Sequence, residues 1–148
     1  MTKICFDDKY FMREALKQAQ QAYNSNEVPI GAVIVCEEKI IAKSYNMTEK
    51  LNDVTAHAEI LAITSAAQFL GSKYLTNCDL YVTIEPCPMC AGAAKWAQIK
   101  KIVFGAGDEK CGYNKFSSKI IPGKTKVVSG ILEDECEKLM KDFFRTKR

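Results

Sequence analysis

A chain of 148 residues is long enough for one domain that buries about 70% of the surface its unfolded form exposes and too short for two ordinary ones, so a single domain over residues 1–148 is expected. With 47% hydrophobic and 26% charged residues the composition excludes a disordered or fibrous chain, and the longest apolar run, Val28 to Cys36, is far too short to cross a bilayer. A net charge of +3 singles out no class of partner, Met1 to Lys9 has no signal-peptide core, and seven scattered cysteines fit free thiols better than a disulfide framework, so the cytoplasm is the expected compartment.

Asp7 and Asp8 precede a run in which Phe11, Met12, Ala15, Leu16, Ala19, Ala22 and Tyr23 recur at spacings of three and four. This predicts an amphipathic helix with an acidic start, ended by Asn24-Ser25-Asn26. Val28 to Val35 is rich in β-branched residues and alternates poorly, as a strand covered on both faces should. Glu37-Glu38-Lys39 reads as a turn, Ile40 to Tyr45 as the second strand of a hairpin, and Met47 to Asn52 as a polar loop after Asn46. Asp53 and Thr55 are candidate caps for a second helix from about Ala56 to Phe69, closed by Gly71, which puts His57 and Glu59 in its first turn. Leu80 to Ile84 is the next strand. A third helix starts at Cys87, with Pro88 in its first turn, and ends near Gln98. Lys101 to Ala106 is a strand again, and the order strand, helix, strand implies a right-handed crossover and parallel pairing. Gly105 to Gly123 reads as a long polar loop and Lys126 to Val128 as a short edge strand. Leu132, Cys136, Leu139, Met140 and Phe143 mark a last helix, acidic at its beginning and basic at its end.

Two stretches carry chemistry, Ala56-His57-Ala58-Glu59 and Pro86-Cys87-Pro88-Met89-Cys90. They offer one imidazole and two thiols, a set that suits zinc, and a carboxylate that need not bind the metal. His57 is the only histidine in the chain. Cys87 and Cys90, three apart at a helix start, put both sulfurs on one face. His57 and Glu59, two apart, would point roughly 200° from each other on a regular helix, so spacing alone does not bring them to one site. A metal there would lie where two helices begin, and their partly positive ends would favour the thiolates. Two thiolates and a neutral imidazole cancel the charge of zinc and leave a weak Lewis acid. Glu59 is the residue placed to help it, by taking a proton from a zinc-activated water and delivering it to the substrate. Two other uses of the motif compete. A closed structural zinc site would need a fourth ligand from a scattered cysteine or an acid, and a redox pair at Cys87 and Cys90 would leave His57 and Glu59 without a task.

His57-Ala58-Glu59 followed by Pro86-Cys87-x-x-Cys90 resembles the signature of the cytidine deaminase superfamily. Glu27 to Val33, Asp53 to Ile60, Leu80 to Ala93, Ile102 to Ala106 and Gly130 through Arg145 resemble, within it, the bacterial deaminases of transfer-RNA adenosine, so that nearly the whole chain is covered. The resemblance implies an α/β protein with a three-layer αβα cytidine deaminase-like fold around a five-stranded mixed sheet, a homodimer, and conversion of the wobble adenosine of a tRNA anticodon loop to inosine. It assigns His57, Cys87 and Cys90 to one Zn2+ per chain and Glu59 to proton transfer. Asn46 is assigned a hydrogen bond with the flipped base, and Val28 and main-chain groups near Ala56 and Glu85 complete the pocket. Asp108 falls in the loop that meets the RNA backbone near the target, with Lys110 a further candidate.

Residues 138–148 carry Lys138, Lys141, Arg145, Lys147 and Arg148 against the single acid Asp142, with Phe143 and Phe144 among them. Phe144 and Arg145, with the two cations that follow, join an aromatic face for a splayed base to positive charge for phosphate. The plainer account is a terminal helix with Phe143 turned inward and a basic end that suits its dipole. Ala94-Lys95-Trp96-Ala97 departs from the tRNA deaminases toward the guanine deaminases of the same superfamily, and Cys111 to Lys124 is atypical and short. Trp96 reads as core or dimer interface rather than substrate contact. Zinc-dependent deamination of tRNA adenosine is thus the expected function. The alternatives are a deaminase of a free base or nucleoside such as guanine or cytosine, which has no need of a basic aromatic C-terminal helix, and a non-catalytic zinc-stabilised binding module, in which Glu59 has no task.

Overall fold

The computed structural model of the chain describes residues 6–147, so that Cys5 and Arg148, expected to be a free thiol and part of the basic tail, lie outside the described residues. Helix α1 (Asp8–Asn24) leads into the hairpin β1 (Gly31–Cys36) and β2 (Lys39–Tyr45), followed by α2 (Ala58–Leu70), β3 (Cys78–Ile84), α3 (Pro88–Ala97) and β4 (Lys101–Ala106). A helical turn α4 (Tyr113–Phe116), the edge strand β5 (Lys126–Ser129) and α5 (Glu133–Arg145) complete the chain. The strands form one mixed sheet in the order β2-β1-β3-β4-β5. The first three pair antiparallel, and β3-β4 and β4-β5 pair parallel, as the crossover through α3 requires.

The sheet is the middle of three layers. Ala32, Ile34, Leu80, Val82, Ile102 and Phe104 pack with Ala58, Ala62 and Ala66 of α2 and Ala91, Ala94 and Ala97 of α3. Val33, Val35, Tyr81 and Val103, from the alternate positions, pack with Phe11, Met12 and Ala15 of α1 and Cys136 of α5. Because β1 is covered on both sides, its burial is continuous rather than alternating, which explains the unpatterned apolar run in the sequence. The alanines on α2 and α3 keep those helices close to the sheet, and Gly31 does the same for α1, since a Cβ there would run into the backbone of Ala15 and Ala19.

Several element boundaries differ from expectation, each for a local reason. β1 starts at Gly31 rather than Val28: Pro29 has no N–H to give, and Ile30 N–H turns back to the Val28 carbonyl at 2.8 Å. Glu37 and Glu38 take φ of 51° and 65°, the signs of a two-residue hairpin turn, so Lys39 already belongs to β2, opposite Cys36. Helix α2 starts at Ala58 rather than Ala56, and Asp53 and Thr55 do not cap it. The Asp53 carboxylate instead accepts the N–H and the hydroxyl of Thr55, at 2.8 and 2.7 Å, in a turn of its own. Gly71, at φ 65°, ends the helix as expected. The segment read as one polar loop holds α4 and a turn at Ser118–Ile120, and it drives Tyr113 and Ile121 into the core beside α3. Trp96 is 78% exposed, so the core reading is wrong for it: Ala94 and Ala97 face the sheet and turn it away. Among the described residues no helix is long and apolar enough to cross a membrane.

At the start of α1 the Asp8 carboxylate accepts from the Tyr81 hydroxyl at 2.7 Å and from the Lys101 ammonium at 2.9 Å, tying the helix to β3 and β4. Burial raises the Asp8 pKa, but the Tyr81 and Lys101 hydrogen bonds together outweigh it and hold the carboxyl below its ordinary value. A depressed carboxylate contributes stability that is present above its unfolded value and lost as pH falls through the folded one. Asp8→Asn is therefore expected to cost about 1–2 kcal/mol at neutral pH, with the gap from wild type closing as acid denaturation series are taken below the aspartate range. An unchanged gap at low pH would rule the carboxylate out as its source.

Candidate active site

His57 and Cys87 occupy equivalent places. Each is the extended residue just before a helix, His57 at φ −72°, ψ 153° before α2 and Cys87 at φ −71°, ψ 169° before α3, and Cys90 follows in the first turn of α3. The extended backbone lifts His57 off the helical repeat, which removes the difficulty of its two-residue spacing from Glu59. His57 Nδ1 lies 3.6 Å from Cys87 Sγ and 3.5 Å from Cys90 Sγ. A tetrahedral zinc ion, with bonds of about 2.0–2.1 Å to nitrogen and about 2.3 Å to sulfur, holds such donors roughly 3.6 Å apart, so the cluster fits the ion. Among the described residues no cysteine or acid joins these three as a fourth ligand, which leaves a tetrahedron one open position, as in catalytic rather than structural sites.

The electrostatics of the cluster's own side chains prepare it for a cation. The hydrogen bond from Cys90, reinforced by His57, pulls the Cys87 thiol down to about 4. The same bond to Cys87, together with burial, pushes Cys90 well up, and the contact with Cys87 raises His57. One thiolate thus holds its neighbours' protons, and a metal ion takes their place. Glu59 is 3% exposed, and its Oε1 has no hydrogen-bond partner among the described residues. Burial first, then the negative charge of Cys87, push its carboxyl up to about 7, where a group can both accept and return a proton near neutrality.

These groups open onto a cavity of about 810 Å³. Val28, Asn46, His57, Glu59, Glu85, Cys87, Asp108 and Phe144 line it, as does Lys110, while Cys90 lies fully buried behind it. Ala56 and Arg145 do not. The Ala56 N–H is given to the Asp53 carbonyl and its own carbonyl takes the Met47 N–H, and Arg145 flanks a shallow hollow with Met140, Lys141 and Phe144 while facing Asp142. The Glu85 carboxylate is occupied by the main-chain N–H groups of Asp108 and Asn114, at 3.1 and 3.0 Å. That of Asp108 takes the N–H groups of Lys110 and Cys111, both at 3.0 Å. Both side chains therefore shape the loop at the cavity mouth. In α5 the two phenylalanines divide: Phe143 is buried edge-on against Tyr23, and Phe144 is 50% exposed on the cavity wall. Ile30, Thr48 and Met140 also line the cavity. Met140 looked like one more core position of an amphipathic helix, and nothing in the polar loop marked Thr48.

Comparison with known proteins agrees with this geometry. The family pattern of the cytidine and deoxycytidylate deaminase zinc-binding region matches residues 6–106. A tRNA-specific adenosine deaminase of Rickettsia bellii is 47% identical over 144 residues, which cover 93% of this chain and 99% of that one. One from Bacillus subtilis is 44% identical over 146 residues, covering 95% and 91%. A solved structure from work on A-to-I editing by tRNA deaminases at the wobble position of transfer RNA superimposes with a TM-score of 0.82 at 44% identity, covering 88% of this chain and 98% of that one. The chain belongs to the cytidine and deoxycytidylate deaminase family of zinc-binding proteins, alongside the bacterial tRNA-specific adenosine deaminases.

Proposed function

We propose that this chain is a zinc-dependent hydrolase that converts the wobble adenosine of a tRNA anticodon loop to inosine in the cytoplasm. The observation that carries the reading is that one cavity holds the metal-ligating cluster and Glu59 at its floor and Phe144 and Lys141 of the basic terminal helix on its wall. A free base needs only the former. A base still attached to a polynucleotide needs a surface for the chain around it, and an exposed aromatic ring beside lysines supplies one. The relatives named above for tRNA-specific adenosine deamination span nearly the whole of this chain.

His57, Cys87 and Cys90 would hold the zinc ion, which when bound lowers the pKa of a water in its open position and so supplies a nucleophile near neutral pH. Glu59 accepts the proton released from that water and donates it to the ring nitrogen next to C6 of adenine, which makes C6 electrophilic. As the oxygen bonds to C6, Glu59 takes the second proton from the added hydroxyl and passes it to the amino group, so that the C6–N bond breaks, ammonia leaves and the C6–O group becomes the carbonyl of inosine. Its burial and its unpartnered Oε1 suit this traffic, since burial raises the carboxyl toward neutrality and leaves one oxygen to receive the proton. Asn46, buried on the cavity wall, hydrogen-bonds the flipped base, and Val28 supplies apolar contact beside it. Phe144 stacks on a neighbouring base. Arg145 and Lys147, at the basic end of α5, meet the phosphates.

We further infer that the chain acts as a homodimer through the outer face of α2 and α3. Met89 and Trp96 stand two turns apart on α3 with Gly92 and Ala93 between them. Phe69, Leu70 and Tyr74 add exposed apolar surface at the end of α2.

Three measurements test these statements. Glu59→Ala is expected to keep about one zinc per chain and an undiminished melting temperature, because it removes a buried unpaired carboxyl, while inosine formation in anticodon stem-loop RNA falls by about 10²–10⁴-fold or more. Loss of zinc together with activity would point to a structural metal site, and ammonia release from free guanine or cytosine but not from RNA would point to a free-base enzyme. Phe144→Ala is expected to weaken RNA binding by about 1–3 kcal/mol at every salt concentration, whereas Arg145→Ala should flatten the salt dependence. Equal affinity in both variants across a salt series would exclude the terminal helix from RNA binding. Trp96→Asp is expected to convert a dimer to a monomer in light scattering. A wild-type monomer at micromolar concentration would remove the dimer altogether.

A further inference from the structure

Glu27 is 2% exposed and takes no part in the reaction just described. The end of α1 carries it inward. Asn26, at φ 62°, gives its N–H to the Tyr23 carbonyl at 3.1 Å, and Glu27 gives its own to the Ala22 carbonyl at 2.8 Å, the paired bonds of a left-handed helix ending. One oxygen of the Glu27 carboxylate then accepts the N–H of Glu49 at 3.0 Å and the other that of Lys50 at 2.7 Å. Among the described residues the carboxylate forms no ion pair. Both of its oxygens are therefore committed to the backbone of a single loop.

The loop is otherwise closed on itself, by the N–H groups of Leu51, Asn52 and Asp53 to the Met47, Glu49 and Thr48 carbonyls and by the Asp53–Thr55 turn, and nothing apolar ties residues 49–55 to the core. Residues 49–55 are all exposed, and none of them enters either core cluster. Its two ends meet where the Met47 N–H reaches the Ala56 carbonyl at 3.0 Å, and the preceding N–H, of Asn46, reaches the Ile30 carbonyl at 3.1 Å. The loop thus runs from Asn46 and Thr48, on the cavity wall, to the metal ligand His57. Val28, next in sequence to Glu27, lies on the same wall.

We propose that Glu27 is a positioning residue that fixes the base-receiving wall of the cavity, Val28, Asn46 and Thr48, by gripping the backbone of residues 49 and 50. The inference rests on the deaminase reading above and deepens it. A carboxylate sheltered from water makes charge-assisted bonds roughly twice as strong as neutral ones. Displacement of a substrate-positioning group by about 1 Å can cost on the order of 10²-fold in rate. Glu27→Gln preserves volume but turns an amide NH2 toward one of the two N–H donors. One bond is lost and two donors are forced together, so the substitution reports on the grip rather than on packing.

The test uses the full-length zinc-loaded protein and an anticodon stem-loop RNA. Inosine formation by the wild type secures the deaminase reading before any substitution is made. Glu27→Gln is then expected to retain one zinc per chain, to lower kcat/KM by about tenfold or more, and to speed amide exchange at Glu49 and Lys50. In an Asn46→Ala background the same substitution is expected to lower kcat/KM by a clearly smaller factor than in the wild type, because one of the contacts it positions is already gone. Multiplicative losses in the two backgrounds, unchanged amide exchange, or zinc lost in step with activity would overturn the role. Should the glutamine variant not fold, Glu27→Asp, one methylene shorter with the charge kept, is measured in the same two backgrounds, and the same results support or overturn the role. A wild type that makes no inosine defeats the deaminase reading, while amide exchange still decides whether Glu27 grips the loop.

Discussion

Three atoms, His57 Nδ1 and the sulfurs of Cys87 and Cys90, lie within 4.8 Å of one another, and the rest of the site follows from how two helix starts bring them there. His57 and Cys87 each sit on the last extended residue before a helix, so each side chain projects past the helix end while the first-turn N–H groups point the same way. The field of those groups favours thiolate over thiol. The same end places Glu59 one step inside α2, buried beneath the cluster. Moving either helix by a turn would separate Glu59 from the His57, Cys87 and Cys90 cluster. The three-layer sandwich acts against such a shift: α2 rests on the sheet through Ala58, Ala62 and Ala66, and α3 through Ala91, Ala94 and Ala97, positions at which any larger side chain would lift the helix off the strands.

Around this rigid floor the walls are loops, and a loop holds its shape only if something satisfies its backbone. Two buried carboxylates do so from opposite parts of the sequence. Glu85 takes the N–H groups of Asp108 and Asn114, and Glu27 those of Glu49 and Lys50. The Glu27 loop puts no apolar side chain from residues 49–55 into the core and the Glu85 loop adds only Tyr113 and Ile121 as buried residues, so the acids supply point attachments where packing is thin. This explains why the chain buries acids beside a site whose metal attracts negative charge: with both oxygens bonded to main-chain donors, each carboxylate is held in place and kept from competing as a ligand.

Much of the fold was legible in the sequence because its elements carry local marks. Lys101–Ala106 is found at its expected bounds, and the spacing of Phe11, Met12, Ala15 and Ala19 places α1 with its buried face correctly turned. The cluster of His57, Cys87 and Cys90 was legible because one histidine and a Cys-x-x-Cys pair have few other uses together. What was hidden depended on backbone conformation that no period encodes. Asp53 and Thr55 are good caps by type, yet they bond to each other. Gly71 advertises a left-handed helix end, but Asn26 and Gln98 take the same conformation, at φ 62° and 61°, without the glycine that would signal it. Trp96 has the composition of a core residue and the position of a surface one. Glu27 stands out in the sequence only through a family resemblance, since nothing in a sequence tells a buried acid from an exposed one until its partners, here more than twenty positions away, are folded against it.

The distribution of charge in the cavity bears on how a polyanion could use it. Glu59, Glu85, Asp108, Glu109 and Glu137 line the cavity with only His57, Lys110 and Lys141 against them, so the interior is a poor place for a phosphate. Arg145 and Lys147 lie outside the lining, with Lys147 bonded to Asn26 across the end of α1. A nucleotide meeting this surface is sorted by its own parts, the neutral base toward the floor and the phosphates toward the basic end of α5. Such sorting needs a base out of its stack, since only an unstacked base can reach the cluster at the floor of the cavity. An anticodon loop presents its bases in that state, whereas a duplex would first have to be opened at a cost of a few kcal/mol. The separation of acidic interior from basic rim therefore supports a single-stranded loop as substrate independently of the family to which the chain belongs.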